Sequence, residues 1–115
     1  MKQILLMRHA KSSWEDASLK DIDRPLAKRG RKDAPAVGVF IRKGKYKPAE
    51  IIASPAERVR QTVALLTEAA HLDENMVRPD KQLYYGSPAD YLKAIHSANT
   101  TSERVMLVGH NPLLE

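Results

Sequence analysis

Histidine and arginine are the residues of this chain best placed to do chemistry. They fall in three polar clusters: Arg8-His9, Ser54-Pro55-Ala56-Glu57-Arg58 and Gly109-His110-Asn111-Pro112. Arginine combines a permanent charge with forked donors, which suits a phosphate group, so Arg8 and Arg58 are candidates for that role. A neutral imidazole is a competent nucleophile near neutral pH, because its unperturbed pKa is about 6.5. The chain has no cysteine. It also has no Gly-x-Ser-x-Gly elbow to present a serine, which leaves histidine as the natural nucleophile. Two histidines can divide the work. One attacks phosphorus; the other, when protonated, holds the charge that builds on the phosphoryl oxygens.

Composition narrows the alternatives. Without cysteine there is no disulfide framework and no thiolate metal site. A formal net charge of +5 fits either nucleic acid or an anionic substrate such as a phosphate ester. Two basic clusters, Lys28-Arg29-Gly30-Arg31-Lys32 and Arg42-Lys43-Gly44-Lys45, supply much of that charge. They read as a solvated helix face and a solvated turn, because aromatic residues make up only 5% of the chain and none interleaves with the charges to stack bases. Nucleic acid is therefore not an expected partner. The length of 115 residues is enough for one compact core and too few for two ordinary domains, so residues 1–115 are read as a single domain. The apolar start Ile4-Leu5-Leu6-Met7 is too short for a signal-peptide core or a membrane span. The expected location is the cytoplasm, with no membrane partner.

The clusters need elements to position them. Apolar runs at residues 3–7, 50–53, 81–84 and 104–108 predict four strands. The first and last runs are continuous, as in strands buried on both faces. Between them lie three helical patterns. One places Gly30, Ala34, Val37, Gly38 and Ile41 at helical spacing, with Pro35 tolerable only near the first turn, which leaves its start open. The second spans residues 55–70, with Ser54 as N-cap, Pro55 at the first position, and Val59, Val63, Leu66 and Ala70 on one face. The third follows Ser87-Pro88-Ala89-Asp90 and buries Tyr91, Leu92 and Ile95. Strands alternating with helices predict the α/β class: a three-layer α/β/α sandwich with a mostly parallel central sheet. Ligands bind such sheets at the carboxyl ends of the strands. All three polar clusters fall at that edge.

The run Leu6-Met7-Arg8-His9-Ala10-Lys11-Ser12, the run Ser54-Pro55-Ala56-Glu57-Arg58-Val59-Arg60-Gln61-Thr62, and Gly109-His110-Asn111-Pro112 together resemble the histidine phosphatase superfamily, the phosphoglycerate-mutase-like proteins. Asp23-Arg24-Pro25-Leu26 followed by Gly30 is similar to the segment that leads into that family's first helix. Four motifs in order, spread over nearly the whole chain, are far more specific than any one dipeptide. The short form is most similar to the SixA-type phosphohistidine phosphatases. The resemblance implies that His9 is the nucleophile that becomes phosphorylated, and that Arg8, Arg58 and His110 complete the phosphate pocket. It also implies that neither a metal nor an organic cofactor takes part. Gln61 and Thr62 are expected to brace the helix against the loop, Lys11 and Arg24 to be solvated, and His71 and His96 to be ordinary helix-surface residues. Trp14 reads either as packing or as a lid.

The chain departs from the family pattern in four ways. The family's usual glycine after the nucleophile is Ala10, and Ser12-Ser13-Trp14 is followed by Glu15-Asp16 in place of an asparagine. Mutases and phosphomonoesterases use a carboxylate to protonate a departing alkoxide, and only Asp73, Glu74 and Asp80 are candidates by position. Phosphohistidine needs no such acid, because imidazole is far less basic than an alkoxide. The chain ends three residues after Pro112, where relatives continue with a helix and further strands, so a C-terminal truncation is expected. The partner implied is a phosphohistidine-bearing protein. The alternatives are a phosphatase or mutase for a small phosphorylated metabolite, a phosphate-binding module without turnover, and, last, a nucleic-acid-binding domain.

Overall fold

The computed structural model describes residues 3–44, 46–98 and 103–110. Lys45, Asn111 and Pro112, which belong to motifs above, lie outside the described residues.

The elements are β1 (Gln3–Arg8), α1 (Lys28–Lys43), β2 (Glu50–Ala53), α2 (Glu57–Ala70), β3 (Val77–Pro79), α3 (Gln82–Tyr85), α4 (Pro88–Ser97) and β4 (Arg104–Gly109). The four strands form one parallel sheet in the order β1-β4-β2-β3. Alternate residues of the central strands serve opposite faces, as the pleat requires. Ile51, Ala53, Met106 and Val108 pack against Ile41 of α1 and Val59, Val63, Leu66 and Ala70 of α2. Ile52, Val105 and Leu107 pack against Leu83 of α3 and Tyr91, Ala94 and Ala98 around α4. The result is the α/β/α sandwich that the patterning predicts.

Helices α1 and α2 approach closely because Gly38 rests on the Leu66 carbonyl, where a Cβ would collide. Gly30, at the start of α1, rests in the same way on the backbone of Lys11. Pro35 lies in the interior of α1, not in its first turn. Buried Ala34, Gly38 and Ile41 on one face carry the helix across it. The third helix starts as expected: Pro88 is its first residue, and the Ser87 backbone N–H donates to the Asp90 carboxylate at 2.8 Å.

Four local expectations are corrected. Residues 81–84 form no strand. The Asp80 side chain accepts from the Gln82 N–H at 2.9 Å, and its carbonyl from the Leu83 N–H at 3.1 Å, which winds the run into α3. The edge position falls instead to β3, where Pro79 is tolerated because an edge strand need not donate on its open side. Strand β1 is not buried on both faces: it lies at the other edge, and Leu6 is 55% exposed. Helix α2 begins at Glu57, capped by Ala56, so Ser54 is not its N-cap. On α4 the buried residues are Tyr91 and Ala94, while Leu92 points outward. Among the described residues, no helix is long and apolar enough to cross a membrane.

Candidate active site

The parallel pairing of β1 with β4 places Arg8 beside Gly109, and the His9 N–H donates to the Gly109 carbonyl at 3.2 Å. That register brings the next residues, His9 and His110, side by side, with ring centroids 5.2 Å apart. Helix α2 opens just beyond β2 and contributes Arg58 from its first turn. Arg8, His9, Arg58 and His110 line one cavity of about 860 Å³ at the carboxyl edge of the sheet. All four residues singled out in the sequence are therefore brought together.

The hydrogen bonds fix the state of each ring. His9 Nδ1 lies 2.7 Å from the Ala10 carbonyl, which can only accept, so Nδ1 carries the proton. Its Nε2 keeps a free lone pair and accepts from Arg58 Nε at 3.3 Å. Burial pushes the His9 pKa below its usual value. The Ala10 bond opposes this in part, and the charges of Arg58, Arg8 and Arg24 reinforce it. The ring is thus held neutral.

His110 is held by the same logic. Its Nδ1 lies 3.4 Å from Arg58 Nη2, which can only donate, so its proton sits on Nε2 and points to Ser54 Oγ at 2.8 Å. Burial first, then Arg58 and His9, lower its pKa to about 4. The protonated His110 expected above is therefore not the form this arrangement holds. Its backbone N–H donates to Tyr91 Oη at 3.2 Å, which anchors the end of β4 on α4.

Arg58 is buried and is aimed by Asp21. Its Nη1 donates to the Asp21 carbonyl at 2.7 Å and its Nη2 to the Asp21 carboxylate at 3.0 Å. Tyr84 donates to the same carboxylate at 2.7 Å, and Arg24 Nε donates at 3.1 Å. The Tyr84 bond is the largest influence on the Asp21 pKa; burial, next in size, opposes it, and the bonds from Arg58 and Arg24 help bring the value down to about 2. Arg24 is buried, not solvated, and also donates to Ser12 Oγ at 3.0 Å and the Ser13 carbonyl at 3.1 Å. Arg8 lines the cavity without a hydrogen bond or ion pair among the described residues. Gln61 accepts from the Leu26 N–H and Thr62 from the Ala10 N–H, at 2.8 and 3.1 Å, bracing the two loops that carry the site.

Sequence reasoning missed Asp21, Tyr84, Ser54 and Tyr91 as supports of the site. Asp21 carried a faint signal, an acid three residues before Arg24; Tyr84 carried none, since its run reads as a strand. Asp73, Glu74 and Asp80 do not line the cavity; among the described residues, the carboxylates that do are Asp21 and Asp33. Asp33 is paired with Arg29 at 3.4 Å on an exposed helix face. His71 caps α2 in the left-handed conformation (φ 58°), and His96 is exposed. Among the described residues, no group of three His, Asp or Glu side chains could hold a metal ion.

A sequence model of the histidine phosphatase superfamily (branch 1) matches residues 4–83. An uncharacterised chloroplastic protein of Arabidopsis thaliana is 34% identical over 96% of this chain and 54% of its own length. A protein of Mycobacterium tuberculosis is 33% identical over 92% and 63%. The chain thus spans little more than half the length of these curated relatives. Among solved structures, SixA from Agrobacterium tumefaciens superposes with a TM-score of 0.87 at 34% identity, covering 97% of this chain and 71% of that one. The protein histidine phosphatase SixA complexed with tungstate superposes with a TM-score of 0.82 at 23% identity, again over 97% and 71%; at that identity the likeness concerns the fold.

Proposed function

This chain belongs to the histidine phosphatase superfamily, and from that membership we propose that it is a phosphatase that carries the phosphoryl group on His9 and acts on phosphohistidine in a protein. The observation that carries the proposal is the state of His9: Nδ1–H tied to the Ala10 carbonyl and Nε2 unprotonated beside Arg58. A histidine held this way is already a nucleophile and needs no base.

In the proposed reaction, His9 Nε2 attacks phosphorus in line while the P–N bond to the substrate imidazole breaks. The bonding pair leaves with the substrate ring, which enters protonated and departs neutral. Water then attacks the phosphoryl-His9, the P–Nε2 bond breaks, and inorganic phosphate leaves with the imidazole restored. Arg8 and Arg58 would stabilise the charge on the equatorial oxygens. His110 would join them on taking up a proton, which a bound phosphate dianion favours by countering the charge of Arg58.

The choice of an N–P substrate is supported by the carboxylates. Asp21 stays ionised at any physiological pH, with a pKa of about 2, so it has no proton to give a departing alkoxide. Asp33 faces Arg29 on the helix surface. Imidazole leaves without such help. The proposed setting is cytoplasmic, with a phosphohistidine-bearing signalling protein as partner.

The test is phosphate release from a phosphohistidine-bearing protein and from a simple alkyl phosphate, in chelator, for wild type and His9→Ala. The expected result is release from phosphohistidine that survives the chelator and is lost in His9→Ala, with slow turnover of the ester. Equal release by His9→Ala would sink the mechanism. Matching rates on the alkyl ester would move the substrate to small phosphorylated metabolites. Phosphate binding without release would point to a binding module.

A further inference from the structure

The cavity is far larger than a phosphoryl group needs, and beyond the phosphate candidates its lining includes three aromatic side chains, Trp14, Tyr84 and Tyr85, among polar and charged ones. Trp14 is 73% exposed and Tyr85 is 67% exposed, and both line it. The other two exposed aromatic side chains among the described residues, Phe40 and Tyr46, stack on each other at 5.7 Å, whereas Trp14 and Tyr85 front the site. Trp14 is also held in place. The Arg24 guanidinium lies 3.4 Å from its ring centroid, and that guanidinium is itself pinned by Ser12, the Ser13 carbonyl and Asp21. One face of the indole therefore rests on a fixed cation, a pairing favoured by the ring quadrupole. The rest of the ring stays in water.

A run of ring contacts also links Tyr85 to His9. Tyr85 meets Tyr84 edge-on at 4.7 Å, Tyr84 meets His110 at 5.4 Å, and His110 meets His9 at 5.2 Å. A tryptophan kept rigid and exposed gains most when another flat, apolar surface covers it. A group bonded directly to a phosphorus held at His9 would share this cavity with both exposed rings.

We propose that Trp14 and Tyr85 form a leaving-group subsite that selects substrates whose phosphoryl group is attached directly to a flat aromatic ring. This rests on the phosphate pocket proposed above and deepens it, assigning the recognition of the ring to residues outside the four that match the family motifs. Selection works by contact area: a ring lies against the indole, whereas an alkyl chain or a bare phosphate leaves it wet. The subsite adds no proton transfer and changes no bond.

The test uses two compounds that cannot be hydrolysed, so its outcome does not depend on turnover. Phenylphosphonate carries a ring on phosphorus; methylphosphonate does not. Trp14 is the chain's one tryptophan, so intrinsic fluorescence reports its environment directly. The expected result is that phenylphosphonate binds about tenfold more tightly than methylphosphonate and shifts the Trp14 emission. Calorimetry on Trp14→Leu should show that ratio reduced severalfold, and Tyr85→Leu should reduce it in part. Trp14 is largely exposed, so its replacement leaves the core intact, and circular dichroism checks the fold. Equal affinities in the wild type, or a ratio that survives both substitutions, would overturn the subsite. If neither phosphonate binds and inorganic phosphate does not bind either, the phosphate pocket itself is overturned, and the subsite with it.

Discussion

Tyr84 Oη donates a 2.7 Å hydrogen bond to Asp21 Oδ2, tying α3 to the short 3-10 turn at Asp21–Asp23 that precedes α1. The same oxygen accepts from Arg58, and its twin accepts from Arg24. One carboxylate therefore orients both buried guanidinium groups around His9. Its role is positional: it aims Arg58 at the histidines and is too acidic to transfer a proton.

Replacing Asp21 with Asn keeps the shape and removes the charge that holds Arg58. We expect kcat on a phosphohistidine peptide to fall about tenfold to a hundredfold with a smaller change in KM, since misaligned groups cost most at the transition state. Asp21→Glu should recover part of the loss. Steady-state kinetics on the three proteins checks this, and an unchanged kcat in Asp21→Asn would refute the positioning role.

Arg58→Lys preserves one charge but not the fork. A lysine cannot bridge His9, His110 and both the carbonyl and the carboxylate of Asp21, so the loss should match that of a missing transition-state donor, about a hundred- to a thousandfold in kcat. Single-turnover phosphate release measures it. A loss below tenfold would show that Arg8 carries the phosphoryl charge alone.

His110 is neutral in the fold, with a pKa of about 4, against 6.5 for a free side chain. Between these values the unfolded chain binds the proton and the folded one does not. Stability should therefore rise with pH from about 4 to about 6.5, and flatten above. His9, lowered in the same direction, adds to that slope. Melting temperature followed over this range should rise less steeply in His110→Gln. Binding of sulfate, which is a dianion at pH 6 and carries no proton to release, should be accompanied by proton uptake, which calorimetry in two buffers of different ionisation enthalpy reads directly; no buffer dependence would exclude a protonated His110 in the complex.

Gly30→Ala places a methyl group against the backbone of Lys11, whose carbonyl also accepts from the Ala27 N–H at 2.8 Å. Backbone cannot step aside as a flexible side chain would. We expect a destabilisation of about 1–3 kcal/mol in urea unfolding, with weakened phosphate binding because Lys11 lies two residues from His9. Stability within a few tenths of the wild type would show that the α1 start adjusts freely.

The sequence by itself determined the architecture and singled out the candidate site. Arg8, His9, Arg58 and His110 stood out because few side chains can attack or hold a phosphoryl group, and because three polar clusters followed three apolar runs. The strand–helix alternation set the parallel sheet, and the parallel sheet set the edge at which those clusters meet. Tertiary structure decided what one-dimensional patterns do not encode. The run at residues 81–84 became α3 because the Asp80 side chain and carbonyl captured the N–H groups that follow, and only that turn lets Tyr84 reach Asp21. Ser54 left its capping role to meet His110, and Arg24 went inward to Ser12, Asp21 and Trp14. His110 lost its proton to burial beside Arg58. Each of these depends on partners far away in the chain. Local propensity reports what a segment can do alone, whereas hydrogen bonding and charge in a closed site depend on which groups the fold brings together.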